Sequence, residues 1–287
     1  MSISKTMTKK KVKTKEYSKK KSHYWFLSLY SLVVLFPFAW LLVTSFKTNS
    51  EIANQPFGFP AQLNFQNYVD AWTSIKMLTL FKNSIFICTV SVLMIVFVAA
   101  LAGYVLSRYR FKINSLIYGF FIMGMMIPMN AAIIPLFINM KWMGLRGSYF
   151  AVIFPYIAFN LPMAIFLITT YMKGIPEEIE EAAVIDGCGA GRIFFNIILP
   201  LSKPILSTTA IIVFMFLWNE FLFALVFLPG NDYHTIPLGI MSFKGQYSTN
   251  FAMQTAGMVI AIIPTVFIYL FLSDKIINGM TAGAVKG

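Results

Sequence analysis

Ile175-Pro176-Glu177-Glu178-Ile179-Glu180-Glu181-Ala182-Ala183-Val184-Ile185-Asp186-Gly187 holds five of the eleven carboxylates of a chain that is 58% hydrophobic. An ionised side chain at the centre of a bilayer costs about 2.5–3.5 kcal/mol even on the most lenient scale. The segment therefore lies outside hydrocarbon, between neighbours that cross it. It continues through Phe194-Phe195-Asn196-Ile197-Ile198-Leu199-Pro200-Leu201-Ser202-Lys203-Pro204, and together these residues form an element held out to water.

Local signals predict how it folds. Pro176 suits a first helical position, Glu177 and Glu178 place negative charge in the first turn, and Gly187 is positioned to end the helix in a left-handed cap. The expectation is a helix of about ten residues, from Glu177 to Gly187. Ala182 and Ala183 leave its middle thin, so that a partner can approach the backbone. Gly189 and Gly191 allow a turn before a second apolar helix around 193–198, which Pro200 and Pro204 stop. The plainer reading is an amphipathic connector lying on the membrane or on its own protein.

The rest of the composition places the class. Charged residues make up only 12% of the chain and the mean hydropathy is +0.72, far outside soluble globular usage. A span needs about 20 mainly apolar residues. Six segments qualify, at 25–46, 84–106, 115–138, 149–171, 205–228 and 252–273. None alternates with the period of a barrel strand, so all six read as helices.

Positive charge gives the orientation. With a cytoplasmic N-terminus, the inside segments carry seventeen of the 23 Lys and Arg residues and the outside segments six, in accord with the positive-inside rule. Both termini and the acidic segment are then cytoplasmic. The lysine-rich run at 1–22 is followed directly by a span, so anionic lipid attracts it at about 1 kcal/mol per residue. It reads as a disordered tail that sets topology, and no nucleic-acid partner is implied. The first apolar stretch is too long for a signal peptide and lacks a small-residue cleavage site.

Three stretches in order carry a resemblance. Glu181-Ala182-Ala183, separated by three residues from Gly187, with Ile-x-Leu-Pro after it, resembles the cytoplasmic coupling motif of ABC importer permeases of the carbohydrate, maltose-type branch. Trp218-Asn219-Glu220-Phe221 in a span agrees. So does Gly279-Met280-Thr281-Ala282-Gly283-Ala284-Val285-Lys286-Gly287, which looks like the end of the smaller maltose-type subunits. The resemblance covers residues 25–287.

It implies an all-α polytopic membrane protein of six transmembrane helices, the type I ABC importer permease fold. The division is a basic cytoplasmic tail at 1–22 and a permease domain at 23–287, with a coupling loop at 172–204. The implied function is import of a carbohydrate, an oligosaccharide by preference, through a bacterial plasma membrane. The implied partners are a second related permease subunit, two cytoplasmic ATPase subunits that hold ATP and Mg, and an extracytoplasmic sugar-binding protein. Glu177, Glu178, Glu181, Ala182, Ala183, Asp186, Gly187 and Pro200 would then contact the ATPase.

Chemistry in the chain itself is sparse. His23 and His234 stand apart, and Cys88 in a span cannot pair with Cys188 in the loop, so neither metal site nor disulfide is implied. No phosphate-binding Gly-x-x-x-x-Gly-Lys-Ser/Thr loop is present, and no cofactor or enzymatic activity is expected of this chain. Polar groups within spans are few. Glu220, about 22 Å along its helix from the cytoplasmic start, falls in the outer half of the bilayer. With Trp218 and Asn219 it can line a sugar pathway, or it can brace a helix contact. Asn130 and Asn160, beside Pro128 and Pro162, are further candidates, and Gly257 with Ala261 marks a close helix contact. An ATPase-independent secondary transporter or channel is the alternative, and a membrane-embedded enzyme the third. Against the transporter stand the lack of an evident internal repeat and of a chain of intramembrane acids.

Overall fold

The computed structural model describes residues 3–245 and 249–284, with side chains described for 24–230, 232–245 and 249–271. The lysine side chains of the tail, His23 and the closing Val285–Gly287 of the C-terminal motif lie outside the described residues. Helix α1 spans Ile3–Thr44, followed by α2 (Asn49–Asn54), α3 (Gln66–Ser74), α4 (Met77–Arg108) and α5 (Asn114–Gly124). Next come α6 (Ile133–Trp142), α7 (Phe150–Met172), α8 (Glu178–Ile185) and α9 (Ala190–Leu201). The chain closes with α10 (Lys203–Trp218), α11 (Leu222–Phe227), α12 (Ile236–Met241) and α13 (Phe251–Ala284). Among the described residues the only pairing of extended backbone is the isolated bridge between Lys244 and Thr249. The tail expected to be disordered continues α1 as helix from Ile3. Lys, Met and Glu are good helix formers, and the span beyond them supplies a ready nucleus.

Among the described residues four helices are long and apolar enough to cross a membrane, and up to six spans result when each bent pair counts as one. The third expected span is α5 and the segment Met129–Trp142, bent by 87°. Pro128 at the break has no N–H to give and disfavours helical backbone in the residue before it. The fifth is also bent, by 70°, between α9 and α10. Its expected course through 205–228 is corrected, because α10 ends at Trp218 and a separate short helix begins at Leu222.

The second helix of the 175–204 segment, expected around 193–198, runs Ala190–Leu201, through Pro200, where a stop was expected. A π-turn at Phe194–Ile198 absorbs the proline: the Leu199 N–H reaches back five residues to the Phe194 carbonyl, so the ladder is already widened where Pro200 has no donor. The break falls instead at Ser202, before Pro204.

Helices α4 and α7 form the centre, and Ile87, Ile95, Ala99, Ile165, Ile168 and Met172 along their seam are fully buried. Lipid is as apolar as these side chains, so close packing holds the pair together. A Cβ at Gly103 would come within 3.0 Å of Ile168 Cγ2 and 3.3 Å of the Thr169 nitrogen. Helix α1 is at the periphery, with none of its apolar window buried.

One end of the bundle is tied by polar side chains. Asn83 donates to the Asp232 and His234 carbonyls, both at 2.9 Å, and accepts from Tyr149. The Ile236 N–H, which starts α12, donates to Ser84. Lys47 is fully buried and donates to the Gln55 and Pro56 carbonyls at 3.1 Å. Thr48 and Glu51 form a capping box on α2. The opposite end carries α8.

Candidate functional site

Helix α8 is shorter than expected, Glu178–Ile185, and Glu177 is its cap residue. Pro176 therefore precedes the cap and is not the first helical residue, a shift within the usual uncertainty of helix ends. Its C-terminus matches the sequence reading. Gly187 has φ +77°, its N–H donates to the Val184 carbonyl, and the Cys188 N–H donates to the Ala183 carbonyl. This pair of bonds is the Schellman motif, which satisfies two orphan carbonyls and requires left-handed backbone at the glycine.

The faces of α8 divide the candidate residues. Glu177, Glu178, Glu181, Ala182 and Asp186 are exposed, whereas Ala183 is buried against the core. Only Ala182 of the alanine pair is thus open to a partner. Pro200 is exposed in α9. Beside the carboxylates, Val184 and Ile185 are 61% and 85% exposed. With Arg108, Glu177, Glu180 and Glu181 they line a cleft of about 410 Å³. The sequence signal for this apolar pair beside acids was the apolar run directly after Ala182-Ala183.

Sequence reasoning also missed what holds α8 in place. Glu180 pairs with Arg108, the last residue of α4, through Nε and Oε1. Arg108 also donates to the Ile175 carbonyl at 3.0 Å, and the Tyr104 hydroxyl donates to Glu180 Oε2 at 3.2 Å. Tyr104 packs on Phe194 of α9, with ring centroids 5.1 Å apart. Helices α8 and α9 are thereby fixed to the end of α4.

The span candidates separate in the same way. Glu220 sits in the gap between α10 and α11. Its carboxylate accepts the Phe223 N–H at 2.9 Å, the Ala224 N–H at 3.3 Å and the Tyr156 hydroxyl at 2.5 Å. A carboxylate at the start of α11 satisfies orphan donors and meets the positive end of the helix dipole. Tyr156 is fully buried, so the pair ties the break in the fifth span to α7. Trp218 is buried, stacked on Phe214, and donates to the Ala261 carbonyl at 3.4 Å. Asn219 is exposed and donates to Met215. Trp218 and Asn219 line a cavity of about 670 Å³ with Phe38, Gln254, Met258 and Tyr269. Glu220 is not in its wall. Asn130 is exposed in the turn Met129–Ala132, at the bend of the third span and away from that cavity. Asn160 is buried and donates back to the Tyr156 carbonyl within α7. Gly257 does mark close packing, since a Cβ there would lie 3.3 Å from Phe243.

The family model for "Binding-protein-dependent transport system inner membrane component" matches residues 95–274. ORF2 of Caldicellulosiruptor sp. (strain Rt8B.4), described as an ABC transporter permease protein, is 39% identical over 93% of this chain and 98% of its own length. The trehalose/maltose transport system permease protein MalG of Thermococcus litoralis is 35% identical over 90% of this chain and 94% of its own. Among solved structures, a bacterial ABC transporter that imports the acidic polysaccharide alginate superposes with a TM-score of 0.78 at 22% identity, covering 91% of this chain and 97% of that one. A structure of bacterial alginate ABC transporter with a pentasaccharide-bound periplasmic protein gives 0.64 at 15% identity, over 89% and 94%. At those identities the structures speak for the fold alone.

Proposed function

The chain belongs to the family of binding-protein-dependent transport system inner membrane components, and from that membership we propose how this carbohydrate ABC permease is driven. It is a multi-pass membrane transport subunit and not an enzyme. In our reading, the face of α8 formed by Glu177, Glu178, Glu181, Ala182 and Asp186, with Val184 and Ile185, seats in a cleft of a separate cytoplasmic ATPase. Gly187 shapes its exit and Pro200 flanks it. ATP and Mg belong to that ATPase, present as a pair. A second related permease subunit completes the pathway, an extracytoplasmic binding protein delivers the sugar, and both termini are cytoplasmic. The cargo class is an oligosaccharide.

One observation carries this reading: an acidic and apolar helix face stands in solvent, yet its own helix is locked to α4 by Arg108 and Glu180. A partner that closes on α8 therefore moves the central span with it, as a rigid lever between two states. The pathway runs along the cavity beside Trp218 and Asn219, with Asn130 at the bend of the third span. Glu220 braces the adjoining helix break.

The experiment is purification of the complex with sugar-stimulated ATP hydrolysis as readout. A stoichiometric ATPase whose rate rises with sugar and binding protein is the expected result. Facilitated sugar flux by this chain with no ATPase attached would overturn it.

A further inference from the structure

A second cavity at the α8 end of the molecule, of about 500 Å³, holds charge that coupling does not use. It lies between the ends of α4 and α7 and the start of α5, lined by Arg108, Arg110, Lys112, Tyr118, Lys173 and Glu177 among others. Arg108 is committed to Glu180. Arg110, Lys112 and Lys173 are exposed and have no carboxylate within salt-bridge distance among the described residues. Lys173 instead lies over the Tyr118 ring, 4.8 Å from its centroid. Glu177 is the single carboxylate in the wall, so the cavity keeps an excess of positive charge and calls for an anion.

The surroundings specify which kind. From the cavity, α5 runs about 16 Å along its axis. Leu116, Phe120 and Met123, at helical spacings of four and three, form one exposed strip on it. Tyr109 and Phe111 stand exposed at the mouth. Cations at the water level with an aromatic rim and an apolar strip leading into the bilayer match an amphiphile whose head is anionic and whose tails are hydrocarbon. A soluble anion would have no use for the strip.

We propose that this cavity binds the phosphate of an anionic phospholipid, with Arg110, Lys112 and Lys173 on the phosphate and the acyl chains along Leu116, Phe120 and Met123. Arg108 and Glu177 line both this cavity and the α8 cleft, so a bound lipid sits against the base of the coupling helix. The assignment rests on reading this end as cytoplasmic, the leaflet rich in anionic head groups.

Native mass spectrometry of the purified complex, titrated with phosphatidylglycerol or phosphatidylcholine, tests it without reference to transport or to ATP. Replacing Arg110, Lys112 and Lys173 together by Gln lowers phosphatidylglycerol affinity on the order of 100-fold, or roughly five-fold per residue in single variants if the triple variant is not recovered. Phosphatidylcholine binding stays weak in both proteins. Equal phosphatidylglycerol affinity in wild type and variants overturns the proposal. Displacement of the lipid by inorganic phosphate alone assigns the cavity to a soluble anion and also overturns it. Loss of the ATPase from the variant with lipid binding unchanged assigns the cations to a protein contact and likewise overturns it. A preparation without any ATPase in which lipid binding still depends on the three cations refutes the coupling reading and leaves this one standing.

Discussion

Arg108 and Glu180 are seventy-two positions apart in sequence and form an ion pair with side chains only 7% and 15% exposed. One ends the central span and the other lies on the inward side of the helix proposed to meet the ATPase. Water is largely excluded from the contact, so losing one partner leaves a desolvated charge behind. In the proposed coupling, the pair is the joint between α8, which the ATPase would push, and α4, which would move with it.

Arg108→Gln and Glu180→Gln each strand the other charge, at a cost of about 3–5 kcal/mol for a fully buried pair and less at this exposure. Each single variant should assemble poorly or hydrolyse ATP without importing sugar. The double variant Arg108→Leu with Glu180→Leu should recover part of the loss. A double-mutant cycle on uptake checks this, and simple additivity would refute the joint.

Gly187 at φ +77° tolerates few side chains. Gly187→Val should destabilise the end of α8 by roughly 1–2 kcal/mol or more and reduce ATPase retention at unchanged membrane abundance. Gly187→Asn, which enters left-handed backbone more easily, should retain most of it. Co-purification of the ATPase ranks the three proteins.

For Glu220, three donors converge on one carboxylate, and a hydrogen bond to a charged group is worth about 1.5–3 kcal/mol. Glu220→Leu should lower assembly before any transport defect is read, Glu220→Gln should lie between it and wild type, and Tyr156→Phe should be mildest. Detergent-solubilised thermal stability orders them. A Leu variant that assembles and imports normally removes Glu220 from both bracing and the pathway.

Topology has a direct test. Phe57→Cys, at a position 78% exposed, should react from outside intact cells with a membrane-impermeant thiol reagent. Ile185→Cys should not, in a Cys188→Ser background; Cys88 is buried. Labelling of position 185 from outside would invert the proposed orientation.

Burial holds His234 below its ordinary value of 6.5, against a smaller upward pull from its hydrogen bond with the Leu228 backbone. The unfolded chain then takes up a proton before the folded one does. Stability conferred by the neutral ring is full above about pH 6.5 and falls away as pH drops below it. Between about pH 8 and about pH 5, wild type should lose more thermal stability than His234→Gln. An equal loss in both would show that the ring does not titrate in this window.

What the sequence determined by itself is what depends on neighbours in the chain. Apolar run length predicted six spans, carboxylate density predicted that 175–204 stands outside the bilayer, and Gly187 marked a left-handed cap, because span length, desolvation cost and backbone sterics are all local. Tertiary structure alone decided the rest. The division of α8 into an outward Ala182 and an inward Ala183, the pairing of Glu180 with Arg108 and of Glu220 with Tyr156, and the break at Asn219–Phe221 depend on which distant helix lies alongside. Glu220 illustrates the limit: a lone acid in an apolar run announces that it has a partner. Whether that partner is a sugar or a helix end is fixed only when α7 and α11 bring a hydroxyl and two N–H groups to within 3.3 Å of it.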